Sequence, residues 1–297
     1  MVLIKCRPQD FIVDEVSLVV AGQDGRFLLF ELEKEGLSTF EAISLLSKAL
    51  HVSISAFSFA GLKDKQAVTR QVCSVFGVSK ERLESVALRN IRIRVLGLRN
   101  EPVHRGELEG NKFRLILRGL DSMPSFDSKF RNLFGVQRFG RNNVEVGRAL
   151  MKRDFKLACS LLGLEASGDF VGVLRKVPIK ELILYIHAYQ SFLWNEAAVK
   201  TSAKELAIVG FGSDISDPAL TEILAKEGVK PSAFVIREFP ELSAEGGVRD
   251  VWVDVRNLKV GILEEDELHA GKKKLSLEFF LPAGCYATEF IRQNVSR

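Results

Sequence analysis

The chain has 297 residues, 46% hydrophobic and 27% charged, an ordinary globular composition that can bury a core large enough for two domains. No apolar run approaches the roughly 20 residues of a membrane span, and the start Met1-Val2-Leu3-Ile4-Lys5-Cys6-Arg7-Pro8 lacks a signal peptide's layout, so a cytoplasmic location with reduced, buried thiols is expected. The formal charge of +4 is too small to announce a nucleic-acid binder, and the four cysteines and four histidines are too scattered for a zinc site.

In chain order, Phe11 to Val20 and Phe27 to Glu33 read as strands, and the Gly22-Gln23-Asp24-Gly25 turn between them is a hairpin signal. A helix follows. Ser38 is placed to cap it, Glu41 to reach back as a capping box, and Phe40, Ile43, Leu46 and Leu50 form one apolar stripe. Phe57 to Ala60 is a short strand ending at the Gly61 turn and Gln71 to Val78 is another, which leaves Lys63-Asp64-Lys65 in the loop between them. That tripeptide reads either as a solvated turn or as an exposed carboxylate held ionised by cationic neighbours.

Ile91-Arg92-Ile93-Arg94-Val95 and Lys112-Phe113-Arg114-Leu115-Ile116-Leu117-Arg118 alternate at the strand period, burying the apolar residues and displaying arginine and lysine. Basic residues crowd Arg89 to Arg118 and Arg131 to Arg153, whereas acidic ones gather from Glu238 to Glu267. The unevenness fits either one polyanion-binding side or a patchy solvated surface. Pro178 opens a long helix through Lys200 whose Leu182, Tyr185, Tyr189 and Leu193 recur at helical spacing and point to core. A short helix is expected near Pro218 to Glu227, strands at Val251 to Val255 and Lys274 to Leu281, and a last helix from Ala287. The pattern is α+β.

The run Phe59-Ala60-Gly61-Leu62-Lys63-Asp64-Lys65-Gln66-Ala67-Val68-Thr69-Arg70-Gln71 fills every fixed position of Gly-x-Lys-Asp-x-x-Ala-x-Thr-x-Gln. It resembles the active-site segment of the TruD family of pseudouridine synthases, in which that pattern carries the catalytic aspartate. Further segments resemble the family in its order: Asp10 to Glu15, Gly106 to Phe113, Asn132-Leu133-Phe134-Gly135-Val136-Gln137-Arg138-Phe139-Gly140, Ala188 to Asn195, and Leu281 to Thr288. The resemblance implies a pseudouridine synthase fold, a mostly antiparallel mixed sheet flanked by helices and interrupted by a smaller α/β insertion, with RNA in the cleft between the two parts. On that plan residues 1–157 and 250–297 form a discontinuous catalytic domain and 158–249 the insertion, which looks short and more like archaeal members. The place of the helix through Tyr189 is open.

The resemblance further implies a tRNA partner, no membrane or protein partner, and isomerisation of uridine to pseudouridine at position 13 in the D arm. No atom is gained or lost, so no cofactor or metal is expected. Asp64 is the catalytic residue, ionised at neutral pH on a reference pKa of about 3.9, with Lys63 and Lys65 favouring that form and facing RNA. Asn132 is a candidate to orient the carboxylate. Phe134, Phe139 and Tyr286 are candidates to stack a flipped base, or, for the two phenylalanines, to pack in the core. Gln137, Arg138 and Arg141 suit phosphates or sugar hydroxyls. Thr69 and Gln71 are expected to fix the loop, and Gln190 lines the cleft or caps a polar pocket inside the fold. The chain departs from the family at Cys285, where many relatives carry Ser, and at Glu101-Pro102-Val103-His104-Arg105, which replaces a more basic run. Another RNA substrate, or a non-catalytic tRNA-binding role, is the alternative.

Overall fold

The computed structural model describes residues 2–295. In chain order the elements are β1 (Phe11–Ser17), β2 (Phe27–Glu35), α1 (Thr39–Leu50), β3 (Phe57–Phe59), β4 (Val68–Phe76), α2 (Lys80–Glu84), β5 (Ile91–Arg99), β6 (Leu108–Leu120), β7 (Lys129–Arg131), α3 (Asn143–Met151), α4 (Phe155–Leu161), α5 (Phe170–Leu174), α6 (Ile179–Ala198), β8 (Glu205–Ile208), α7 (Pro218–Glu227), β9 (Gly247–Asp250), β10 (Trp252–Asp254), β11 (Arg256–Glu265), β12 (Lys273–Pro282) and α8 (Ala287–Val295). They fall into two compact units, residues 2–128 with 254–287 and 294–295, and residues 129–253 with 288–293. This division follows packing, and it falls at 129 and 253 instead of the 158 and 249 expected for an insertion.

The first unit is built on an eight-stranded mixed sheet in the order β11-β12-β6-β1-β4-β2-β5, with β3 paired to β4. Only β1 and β4 run parallel; their neighbours are antiparallel. The expected β1–β2 hairpin does not form, because β4 lies between the two strands and pairs with both. The glycine segment instead lies against β5. Gly22 exchanges two main-chain hydrogen bonds with Leu98, at 2.8 and 2.9 Å, and a Cβ on Gly25 would sit 2.3 Å from the Arg99 backbone.

Helix α1 begins with the expected capping box between Ser38 and Glu41. Its Ala42, Ile43, Leu46 and Leu50 pack on Leu28, Phe30 and Leu32 of β2 and on Cys73 and Val75 of β4. Phe40 does not join that stripe. It is 58% exposed, its ring edge-on to Phe59 at 5.7 Å. Of the cysteines, Cys73 and Cys159 are buried, Cys6 is exposed and Cys285 half-buried, so the expectation of buried thiols holds for two of the four.

The arginines of the first unit do not form an unopposed basic face. Glu33 lies across from both Arg70 and Arg92, and it pairs with them at 2.7 and 3.1 Å. Asp14 bridges Arg70 and Arg114 at 2.8 and 3.1 Å, and Glu31 takes Arg94 at 3.1 Å. Arg118, expected outward, is 2% exposed and closes a buried cluster. It bonds Asp10 and Asp266 at 2.9 and 2.8 Å and reaches Glu267 at 3.0 Å.

The second unit is organised around α6. Trp194 and Tyr189 are fully buried in an apolar core shared with α3, α4, α5 and α7. A Cβ on Gly147 of α3 would meet the Tyr185 carbonyl at 2.1 Å, so glycine permits the close approach of α3 to α6. Pro178 is the residue before the helix, not within its first turn. Among the described residues no helix is long and apolar enough to cross a membrane.

The buried cluster yields a stability prediction. Burial pushes the Asp266 carboxyl up, but the Leu268 and Gly119 amides and the Arg118 guanidinium together hold it below its ordinary value. Hydrogen bonds from Arg118 and then Lys274 hold Glu267 down as well. Replacing Arg118 by Met leaves Asp10 and Asp266 buried without their cation, and should lower the unfolding free energy by about 3–5 kcal/mol in denaturant titrations at neutral pH. Because the folded carboxyls bind protons less readily than unfolded ones, their contribution is complete above the ordinary carboxyl range and fades as pH falls through the folded values. The gap between wild type and Arg118→Met should therefore narrow in acid.

Candidate active site

Strands β3 and β4 pair with Phe59 opposite Cys73, and residues 60–67 form the loop between them. Such a loop carries polar main-chain groups that the ladder cannot satisfy, and buried side chains from three elements supply partners. Gln71 of β4 donates from Nε2 to the Gly61 carbonyl at 3.0 Å and accepts at Oε1 from the Thr39 hydroxyl at 2.9 Å. Thr39 Oγ1 in turn accepts from the Lys63 amide at 2.9 Å. Lys34 of β2 donates to the Asp64 carbonyl at 2.8 Å and to the Leu37 carbonyl at 2.6 Å. Gln71 thus fixes the loop as expected, whereas Thr69 Oγ1 is buried and makes no hydrogen bond among the described residues.

The two lysines flanking Asp64 point elsewhere. Lys63 is buried against Glu15 of β1 at 2.5 Å, and Glu15 also accepts from the Val72 amide. Lys65 pairs at 2.6 Å with Glu41, whose carboxyl is lowered to about 2 by that hydrogen bond and then by the Ser38 amide. The cation that touches the Asp64 carboxylate is Lys5, at 2.9 Å from Oδ2. Lys5 sits at a left-handed φ of 61°, its ammonium 4.2 Å above the Phe11 ring. The Asp64 side chain remains 37% exposed, and its Oδ1 has no hydrogen-bond partner among the described residues. One carboxylate oxygen is held and the other is open. Burial pushes the Lys34 ammonium down to about 8, with Asp64 opposing the shift and Lys63 adding to it.

Two other parts of the first unit were singled out in the sequence. The Glu101 to Arg105 departure lies beside the loop: the Gly106 amide bonds the Ala60 carbonyl, and the Val103 amide bonds Ser74 Oγ, both at 2.9 Å. Tyr286 is half-buried after the turn at Gly284, between β12 and α8.

The remaining expected residues belong to the second unit. Asn132 is buried and accepts at Oδ1 from Arg249 at 2.7 Å, while its carbonyl accepts from the same guanidinium at 3.0 Å. Phe134 is edge-on to Trp194 at 5.6 Å, with the Arg249 guanidinium 4.2 Å over its ring. Phe134 and Phe139 both pack, half-buried, on the helical core. Gln137 and Arg141 are exposed. Arg138 reaches Ser191 Oγ at 3.4 Å. Gln190 takes the internal alternative: it is buried and donates to the carbonyls of Val209 and Glu245, at 2.7 and 3.2 Å.

Sequence reasoning missed Lys5, Glu15, Lys34, Thr39 and Arg249. Lys34 had a signal. It occupies the same parity as Leu28, Phe30 and Leu32 in β2, where an apolar residue is due.

The model of the family described as tRNA pseudouridine synthase D (TruD) matches residues 2–163 and 206–294. A tRNA pseudouridine synthase D of Syntrophotalea carbinolica is 36% identical over 387 residues, covering 98% of this chain and 95% of the relative. A candidate tRNA pseudouridine synthase D of Methanosarcina acetivorans is 27% identical over 401 residues, covering 96% of this chain and 90% of its own. Both alignments run longer than the 297 residues here, so each relative carries residues that have no counterpart in this chain. The crystal structure of a candidate tRNA pseudouridine synthase D (TruD) from Methanosarcina mazei superposes with a TM-score of 0.75 at 24% identity, covering 99% of this chain and 93% of that one, a likeness of fold.

The loop clamp is open to measurement. Thr39→Val keeps the shape of the side chain but leaves the Lys63 amide and Gln71 Oε1 without partners. Denaturant unfolding should register a loss of about 1–3 kcal/mol, and Thr39→Ser, which keeps the hydroxyl, should lose less.

Proposed function

We propose, because the chain belongs to the tRNA pseudouridine synthase D (TruD) family, that it converts uridine at position 13 in the D arm of tRNA to pseudouridine in the cytoplasm. The observation that carries the proposal is Asp64: a half-exposed carboxylate with Oδ2 held by Lys5 and Oδ1 open, on a loop whose main chain is fixed by buried donors. In the reaction the bond from C1′ to N1 breaks and a bond from C1′ to C5 forms. The C5 proton leaves, N1 is left carrying one, and the product is an isomer of the substrate. The open oxygen of Asp64 acts at the sugar, either attacking C1′ or taking the proton whose loss gives a glycal. Lys5 offsets the negative charge while the carboxylate is ionised and fixes which oxygen is presented.

The target uridine has to leave its stack, at a cost of a few kcal/mol. A ring that stacks on it contributes roughly 1–3 kcal/mol, and half-buried Tyr286 is the residue to which we assign that contact. Exposed Gln137 and Arg141, with Lys65, are assigned to the RNA backbone, a contact that positions without reading sequence. These assignments follow the family's motifs and the exposure of each side chain.

The test is mass-spectrometric mapping of pseudouridine in unmodified tRNA transcripts after incubation with wild type and with Asp64→Asn. A new pseudouridine at position 13, absent with the variant although its tRNA affinity is unchanged, is the expected result. Product elsewhere in the transcript would reassign the target, and wild-type turnover by Asp64→Asn would remove Asp64 from the chemistry.

A further inference from the structure

Lys34 occupies a place where the alternation of β2 calls for an apolar side chain. Leu28, Phe30 and Leu32 precede it on the same face, all buried against α1, and Lys34 itself is 0% exposed. A buried lysine is ordinarily matched by a carboxylate, yet Lys34 makes no ion pair among the described residues. Its ammonium bonds only main-chain carbonyls: Leu37 at 2.6 Å, Asp64 at 2.8 Å and Lys63 at 3.5 Å. The three donors of one cation thus join the segment leading into α1 to the backbone of the residue that carries the open carboxylate.

We infer that Lys34 is a positioning residue for the isomerisation, acting through the main chain of Asp64 and not on the substrate. The inference rests on the reading of Asp64 as the reacting carboxylate. Lys5 orients one carboxylate oxygen from the side, and Lys34 sets from beneath where the whole residue stands. A side chain held at its tip alone would still swing with its backbone.

The arrangement makes the hold dependent on protonation. The charged and titratable groups facing Lys34 are Asp64 and Lys63 of the loop, Glu41 of α1 and Cys73 of β4. Burial pushes the Cys73 thiol far up and Lys65 holds the Glu41 carboxyl down. Lys34, brought down to about 8 by burial, changes its charge in mild alkali. On losing its proton the amine keeps two donors for three carbonyls and loses the charge that strengthens each bond.

The test is kcat and KM on tRNA transcript from neutral to mildly alkaline pH for wild type, Lys34→Arg and Lys34→Met. Wild-type kcat should fall as pH passes about 8 with KM steady, and Lys34→Arg, which stays charged, should lack that fall. Lys34→Met should lower kcat about 100-fold with little change in KM, the scale of a displaced reacting group. An alkaline fall that persists unmoved in Lys34→Arg, or wild-type kcat in Lys34→Met, overturns the inference. If Lys34→Met does not fold, the pH profile of Lys34→Arg decides. If wild type makes no pseudouridine on any RNA, the proposed function fails separately, and hydrogen exchange of residues 61–67 at neutral pH then reads Lys34 on its own. Faster exchange in Lys34→Met supports the hold on the loop, and unchanged exchange refutes it.

Discussion

A reacting carboxylate cannot be fixed by saturating its own oxygens, because the oxygen that meets the substrate must stay open. For Asp64, the carboxylate we propose as the reacting one, the constraint is met through the backbone. Gln71, Thr39 and Lys34 bond the main chain of the loop at Gly61, Lys63 and Asp64, and they come from β4, α1 and β2, which share one apolar core. The donors are rigid because their elements are packed, and the loop inherits that rigidity. Among the described residues only Lys5 bonds the carboxylate, and it engages one oxygen.

The same economy governs charge elsewhere in the first unit. Cross-strand partners answer the arginines of β4, β5 and β6: Glu33 lies between Arg70 and Arg92, and Asp14 between Arg70 and Arg114. Exposed pairs of this kind contribute little to stability, typically below about 1 kcal/mol each, but they favour one strand register, since a slip of one residue would set Glu33 opposite Ile91 or Ile93 in place of Arg92. Arg118 differs because it is buried with Asp10 and Asp266, where losing a partner is far more costly than on the surface. Counting basic residues along the chain therefore overstates the positive field of the sheet. A polyanion approaching this face meets carboxylates already in place.

Local signals were read well where local physics decides. The Ser38–Glu41 capping box and the helix at Pro218–Glu227 stand where the sequence placed them, and the structure adds Asp217 as the cap of the latter. The hairpin failed because turn chemistry says that a chain can reverse, while the choice of partner strand is made by β4, more than forty residues further on. Strand β11 was missed because it is a sheet edge with no buried residue, so Arg256–Glu265 shows no alternation to read. Helices α3 to α5 were missed because each is short and makes sense only against α6. Asp64 was legible through a motif. Lys5 was not, because a lysine near the start of the chain and an aspartate 59 residues later have no pattern in common until β1 and β4 lie side by side.

This difference between motif and scaffold bears on what each residue type can tell. Asp64 is recognisable because the proposed chemistry restricts the position to a carboxylate. Lys34 is recognisable for the opposite reason, since packing restricts its position to an apolar side chain and the sequence breaks that restriction. A charged residue at core parity needs buried partners to be tolerated, and the carbonyls of an active loop are such partners. The polar groups that a catalytic loop cannot satisfy by itself and the charge that a core cannot hold by itself thus resolve each other at one point. That point is the Asp64 carbonyl, joined to Lys34 at 2.8 Å, which ties the end of β2 to the proposed site although Lys34 itself is wholly buried.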